Sequence, residues 1–252
     1  MDLRRRGYLK AMGVSLWRQR EEVDPAEGRG TPDPLPEPPA DSPAETLDAE
    51  PRVAAPAVGS RQAVSEMEWP ALREQVRDCR ACELRAGCTQ TVFGVGNESS
   101  ELLVIGEAPG ADEDRQGEPF VGRAGQLLNT MLQAMGYRRE SVFIANIVKC
   151  RPPDNRDPRP EEAMRCEPYL LRQIALIQPR MILAVGRIAA QNLLKTDITV
   201  GKLRGRIHRF GESGIPLVVT YHPAYLLRSS EQKGKAWQDL QLALSGLRGD
   251  RV

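Results

Sequence analysis

The chain has 252 residues, 40% of them hydrophobic, with a formal charge of +1 at pH 7, enough apolar side chain for one well-packed domain and some additional segments. No apolar run approaches the roughly 18 residues of a membrane-spanning helix, so a helical membrane protein is excluded and a soluble chain is expected. The near-neutral total hides a division: residues 1–20 carry six basic and one acidic side chain, residues 21–66 carry three and eleven, and residues 67–252 are left at +4, too little to argue for a nucleic-acid partner by itself.

In chain order, the first element is "RRRGYLKAMGVSLWRQR", where Tyr8, Leu9, Met12, Leu16 and Trp17 can share a helical face that Gly13 interrupts. The segment is charged but lacks an apolar core and a small-residue cleavage site, so an unexported chain in a reducing compartment is expected. Residues 21–66, with "TPDPLPEPPADSPAETLDAEP", are rich in Pro, Ala and Glu and offer little to bury. Such a stretch cannot recover its ordering entropy and reads as a disordered linker. A short basic-aromatic segment on such a tether suits a docking peptide. It is similar to the N-terminal peptide with which the psi subunit of the bacterial clamp-loader complex binds its partners, and that likeness implies a replisome partner for residues 1–20. A helix packed on its own domain is the alternative.

Strand and helix patterns alternate from Trp69 onward. "ELLVIGE", "SVFIANIV", "RMILAVG" and "IPLVVTYHP" are short runs rich in Val and Ile, as in strands buried on both faces. Between them lie the helical stretches "AGQLLNTMLQAMG", "RPEEAMRCEPYLLRQIALIQP" and "GRIAAQNLLK". The alternation predicts an α/β domain over residues 67–252 with a mostly parallel sheet. Ligands of such sheets bind at the carboxyl ends of the strands, where Gly106, Glu107, Asn146 and His222 fall.

"DCRACEL" supplies Cys79 and Cys82, and Cys150 and Cys166 follow with fifteen residues between them. In a reducing compartment these are better metal ligands than disulfide partners. Four thiolates suit either zinc or a four-iron cluster, and spacing does not choose. Lys149, Arg151 and Arg165 lower the cost of the thiolate charge. Scattered free thiols are the plainer alternative, and Cys88 reads as one.

"VIGEAPGADEDRQGEPFVGRAGQLLN" holds five glycines from Gly106 to Gly125 and the carboxylates Glu107, Asp112, Glu113 and Asp114, which disfavour a triphosphate. Glycines there let backbone approach a planar ligand. Phe120 could stack on such a ligand or be ordinary core, and Asn146 could read a base edge or be a satisfied structural amide. His222, at the end of a buried strand, is a catalytic candidate. His208, in "KLRGRIHRF", reads as part of a solvated or phosphate-facing strand and takes no catalytic role.

"GEAPGADED", "EPFVGRAG", "ANIVKCRPPDNR" and "HPAYLLR", in this order with the four cysteines interleaved, resemble the family 4 uracil-DNA glycosylases, the iron-sulfur type of bacteria and archaea. The resemblance covers about residues 67–245. It implies a three-layer αβα sandwich around a central, mostly parallel four-stranded sheet, and a structural four-iron four-sulfur cluster on Cys79, Cys82, Cys150 and Cys166. It implies excision of uracil from single- or double-stranded DNA by a monomer in the bacterial cytoplasm, associated with the nucleoid.

By the same likeness, Glu107, Ala108, Phe120, Asn146 and His222 would bind the flipped base. Phe120 would stack on it, Asn146 would pair with O4 and N3–H, and His222 would donate to O2. The family 1 enzymes carry an aspartate where this chain has Ala108, so the catalytic water falls to Glu107, Glu113 or Asn155. Glu113 is favoured, for the water or as a wall against the thymine methyl. Leu226 or Leu227 would fill the gap left by the base, while Arg228, Lys202, Arg204 and Arg206 would meet phosphates. A zinc-stabilised nucleic-acid-binding module, a small electron carrier and a glycosylase for another deaminated base are the competing readings.

Overall fold

The computed structural model describes residues 61–249 together with Gly7 and Lys10. The docking segment expected over residues 1–20, apart from those two positions, and residues 21–60 of the expected linker lie outside the described residues. Residues 61–66, assigned above to that linker, are ordered. Arg61–Ser65 is a helix and Val64 is fully buried against the core, so the domain begins earlier than residue 67.

Six strands form one sheet in the order β1-β3-β2-β4-β6-β5: β1 is Val95–Gly96, β2 Leu102–Gly106, β3 Phe143–Asn146, β4 Met181–Val185, β5 Ile207–Phe210 and β6 Ile215–Thr220. The four apolar runs of the sequence are the four parallel strands β3, β2, β4 and β6. The expected four-stranded sheet is therefore extended by an antiparallel strand at each edge. Two-residue β1 is too short to show a period, and β5 is the basic run around His208.

Helices cover both faces because alternate strand residues point to opposite sides. Leu103, Phe143, Ile182 and Leu217, which lie in register across the parallel strands, face one side. There they meet α1 (Arg61–Ser65), α2 (Trp69–Arg77) and the short α3 (Leu84–Gly87). The six-residue α4 (Ala111–Gln116) follows β2, and α5 (Arg123–Met135) lies on the opposite face, burying Leu128, Met131 and Leu132 against Leu102 and Val104. The first face is completed by α6 (Pro160–Ile177), α7 (Arg187–Leu194) and α8 (Val200–Leu203). The second is completed by α9 (Pro223–Arg228) and α10 (Lys233–Arg248). The result is the three-layer αβα arrangement.

Local chemistry sets the helix limits. α6 opens with Pro160 at its first position, while Glu162 accepts a hydrogen bond from the Arg159 N–H (2.7 Å) and pairs both oxygens with Arg156 (2.9 and 2.6 Å). The helix closes on Gln178 in the left-handed region, before Pro179. Among the described residues no helix is long and apolar enough to cross a membrane.

Candidate active site

The parallel register brings the carboxyl ends of β2, β3, β4 and β6 to one edge of the sheet, where Gly106 pairs with Asn146 and Val185 with Thr220. The loops leaving that edge enclose a cleft of about 790 Å³. Glu107, Ala108, Glu113, Phe120, Asn155 and His222 all line it, with Arg228 at its margin.

Asn146 lies behind this lining, 2% exposed, and its Oδ1 has no hydrogen-bond partner among the described residues. A buried, unpaired acceptor costs about 1–3 kcal/mol. A Cβ added at Gly106 would stand 2.6 Å from that oxygen and 2.5 Å from the Phe120 ring, so the strand needs glycine where the Asn146 amide and the aromatic ring converge. The Phe120 ring is 6% exposed and lies 5.6 Å from the His222 ring at a 30° tilt. It belongs to the core and also lines the cleft.

His222 caps α9, its Nδ1 accepting the Ala224 N–H at 3.1 Å, which leaves the ring proton on Nε2. Burial, helped by the Arg228 charge, pushes its pKa down to about 4 against a weaker opposite pull from Glu113. The imidazole is therefore a neutral donor near neutral pH.

Glu113 lines the cleft with both carboxylate oxygens bound to backbone. One oxygen accepts the N–H groups of Val121 (2.9 Å) and Gly122 (3.1 Å), the other that of Gly110 (3.1 Å). Bonds of this kind suit a carboxylate that fastens a loop, rather than one that takes a proton from water. Glu107 is different again. Burial, then the Asp157 carboxyl hydrogen-bonded to it, raise its pKa to about 7, opposed by Arg187. Asp157 is itself ion-paired with Arg187 at the start of α7. The Oδ1 of Asn155 accepts from Arg151 Nε at 2.7 Å, and its backbone is left-handed at φ 56°.

Two of the residues expected at DNA are engaged within the fold. Leu226 is fully buried in the core beneath α9, leaving Leu227, 41% exposed, as the apolar side chain available for insertion. Arg204 is held by the fully buried Asp239 (3.0 Å from Nε) and by the Lys235 carbonyl, so it serves as an internal latch rather than a phosphate contact. Lys202, Arg206 and Arg228 are exposed. His208 hydrogen-bonds to the Leu203 carbonyl at 2.7 Å.

Cys79, Cys82, Cys150 and Cys166, drawn from three separate segments, line one small enclosed cavity with Lys149, Arg165 and Tyr169. The Ala81 N–H and the Tyr169 hydroxyl point at Cys79 Sγ (3.4 and 3.2 Å), and the Lys149 N–H at Cys166 Sγ (3.3 Å). These donors offset thiolate charge, so the chemistry of the cavity fits a thiolate-bound metal centre. As the side chains stand, no three potential ligands among the described residues are set at metal-bonding geometry. Cys88 is buried against Cys150 and does not line the cavity.

Sequence reading missed Asp157, in the polar loop between Cys150 and Cys166, Arg187, at the start of an apolar helix, and Arg139, which donates to the carbonyls of Pro119 and Phe120. No local signal marks them, because their roles depend on partners remote in the chain.

A sandwich of this kind, with its cleft at the strand ends, matches a class of base-excising enzymes: residues 93–241 fit the family model described as the Uracil DNA glycosylase superfamily. A Type-4 uracil-DNA glycosylase of Archaeoglobus fulgidus is 47% identical over 160 residues, 61% of this chain and 80% of the relative. Those of Pyrobaculum aerophilum (40% over 186 residues; 71% and 95%) and Thermotoga maritima (43% over 176 residues; 68% and 91%) are similar over still more of the chain. The chain belongs to the Type-4 uracil-DNA glycosylases.

Proposed function

We infer that this chain is a DNA-repair glycosylase that hydrolyses the N-glycosidic bond of deoxyuridine in DNA, releasing uracil and leaving an abasic site. Family membership supports the reaction. The observation that carries the reading at this site is the unpaired Asn146 oxygen, buried beside the Phe120 ring and near the His222 imidazole.

Chemistry on a base requires that it leave the stack, at a few kcal/mol, and enter a fitted pocket. Phe120 receives its face. Asn146 Oδ1 accepts uracil N3–H and the amide nitrogen donates to O4. Cytosine, which lacks the N3 proton and carries an amine at position 4, leaves both groups unsatisfied. As the glycosidic bond stretches, charge builds on uracil O2, and the His222 Nε2–H stabilises it. Leu227 fills the vacated stack, while Arg228, Lys202 and Arg206 meet phosphates.

The positive sugar needs an anion and a water. The Glu107–Asp157 pair suits this role because it lines the cleft, whereas Glu113 is occupied with backbone. Single-turnover uracil release from a deoxyuridine oligonucleotide, followed from about pH 5 to about 9, is expected to rise through about 7 as Glu107 loses its proton. Glu107→Gln should flatten that limb. An inflection unchanged in the variant would remove the pair from catalysis, and a wild-type protein that releases no uracil would remove the reading itself.

Cys79, Cys82, Cys150 and Cys166 would hold a four-iron four-sulfur cluster, whose contribution is a rigid four-point crosslink. It would join the segment before α3 to both ends of the polar loop between Cys150 and Cys166, which lines the cleft at Asn155 and Asp157. Protein purified without oxygen is expected to be brown and to hold about four irons per chain. Cys150→Ser should lose iron and lower the melting temperature. A colourless protein containing zinc would refute the cluster. For residues 1–20, of which Gly7 and Lys10 alone are described, the likeness to the psi-subunit peptide supports docking to a replisome protein.

A further inference from the structure

Phe120 adopts φ 54°, a left-handed conformation that a bulky non-glycine residue keeps only where its surroundings impose it. On one side Glu113 binds the N–H groups of Val121 and Gly122. On the other, Arg139, half-buried in the single turn that joins α5 to β3, spreads its guanidinium over two consecutive carbonyls. Nη1 donates to Phe120 O and Nη2 to Pro119 O (3.2 and 2.5 Å). Nη1 also donates to Asn129 Oδ1 on α5 at 3.2 Å, which fixes the fork against the helix. The start of α5 closes on the same carbonyl, since a Cβ at Gly125 would stand 1.8 Å from Phe120 O.

We propose that Arg139 is a positioning residue for base recognition: by gripping the carbonyls of Pro119 and Phe120 it sets the plane of the aromatic ring against which the flipped base lies. The inference rests on the stacking role assigned to Phe120. A planar guanidinium is suited to the task because its donors form a rigid fork, whereas an ammonium is a single movable point. Arg139 itself does not line the cleft, so its effect on the base passes through the ring.

The test is a double-mutant cycle of Phe120→Ala and Arg139→Gln, with Arg139→Lys as a third variant. Three quantities are read on the full, metal-replete chain: single-turnover excision, the inhibition constant of free uracil, and the melting temperature. Phe120→Ala is expected to weaken uracil inhibition by at least about tenfold, as loss of a stacking surface does. Arg139→Gln should weaken it by about tenfold, and Arg139→Lys nearly as much while melting close to the wild type, because charge is kept and the fork is lost. In the Phe120→Ala background, Arg139→Gln should add nothing to the inhibition constant.

If Phe120→Ala binds free uracil normally, the stacking reading falls and this inference falls with it. If Phe120→Ala is impaired but the Arg139 variants bind uracil normally, or the two effects multiply, stacking stands and the role of Arg139 is overturned. An Arg139→Lys protein that recovers full uracil binding overturns the fork geometry in the same way.

Discussion

Replacing His222 with asparagine is expected to slow single-turnover uracil excision by about 10²- to 10³-fold, the usual effect of removing one donor aimed at a developing oxyanion. Asparagine is chosen because His222 has two tasks. Its Nδ1 caps α9 through the Ala224 N–H, and asparagine can supply a capping oxygen in its place. It does not extend to the position of Nε2. A leucine at this position should show the same loss of rate with a lower melting temperature, because the cap is lost as well. Normal excision by the asparagine variant would remove His222 from the chemistry.

The same residue gives a signed pH dependence. Its pKa is about 4 in the folded chain, below the ordinary 6.5, so the unfolded chain takes up a proton first as the solution is acidified. The stability that the neutral, buried ring contributes is complete above about pH 6.5 and is lost as pH falls towards about 4. The wild type and the asparagine variant should therefore converge in melting temperature over that interval. Over the range where Glu107 titrates, His222 stays neutral, so an inflection of the excision rate near 7 is not its own.

Asn146→Leu carries the other large effect, and its two readouts should move in opposite directions. Excision of uracil should fall by about 10²-fold or more, because the N3–H and O4 of a buried base lose their partners. The folded chain should be as stable as the wild type or more so, since an apolar side chain of similar size removes a buried oxygen that has no partner among the described residues. An ordinary structural asparagine would behave in reverse, with a lower melting temperature and retained excision. That outcome would end the assignment of Asn146 as base reader.

Much of the architecture is legible in the sequence because buried parallel strands are continuous apolar runs. "ELLVIGE" and "RMILAVG" could not be placed elsewhere than in the interior, and β2 and β4 are buried at every position. The edge strand β1 was not legible, since two residues carry no period. At the site, Glu107 and His222 stood out as unusual residue types at strand ends and Phe120 as an aromatic in a glycine-rich polar loop, and they meet in one cleft. What the sequence could not convey was how each side chain spends its hydrogen bonds. Glu113 reads as a free carboxylate until its three backbone N–H partners are seen. Leu226 and Leu227 are indistinguishable as letters, and only the turn of α9 sends one inward and the other to the surface. Arg204 likewise reads as a surface cation until Asp239, far along the chain on α10, is seen to hold it.

The groups around the pocket hang from different strands of one stiff frame: Glu107 after β2 and His222 after β6 in its lining, and Asn146 on β3 behind it. Inheritance can thus tinker with one wall at a time. A lineage that altered a single connection would shift which damaged nucleoside it removes while its foundations stayed untouched, so a shared scaffold is compatible with divergent appetites.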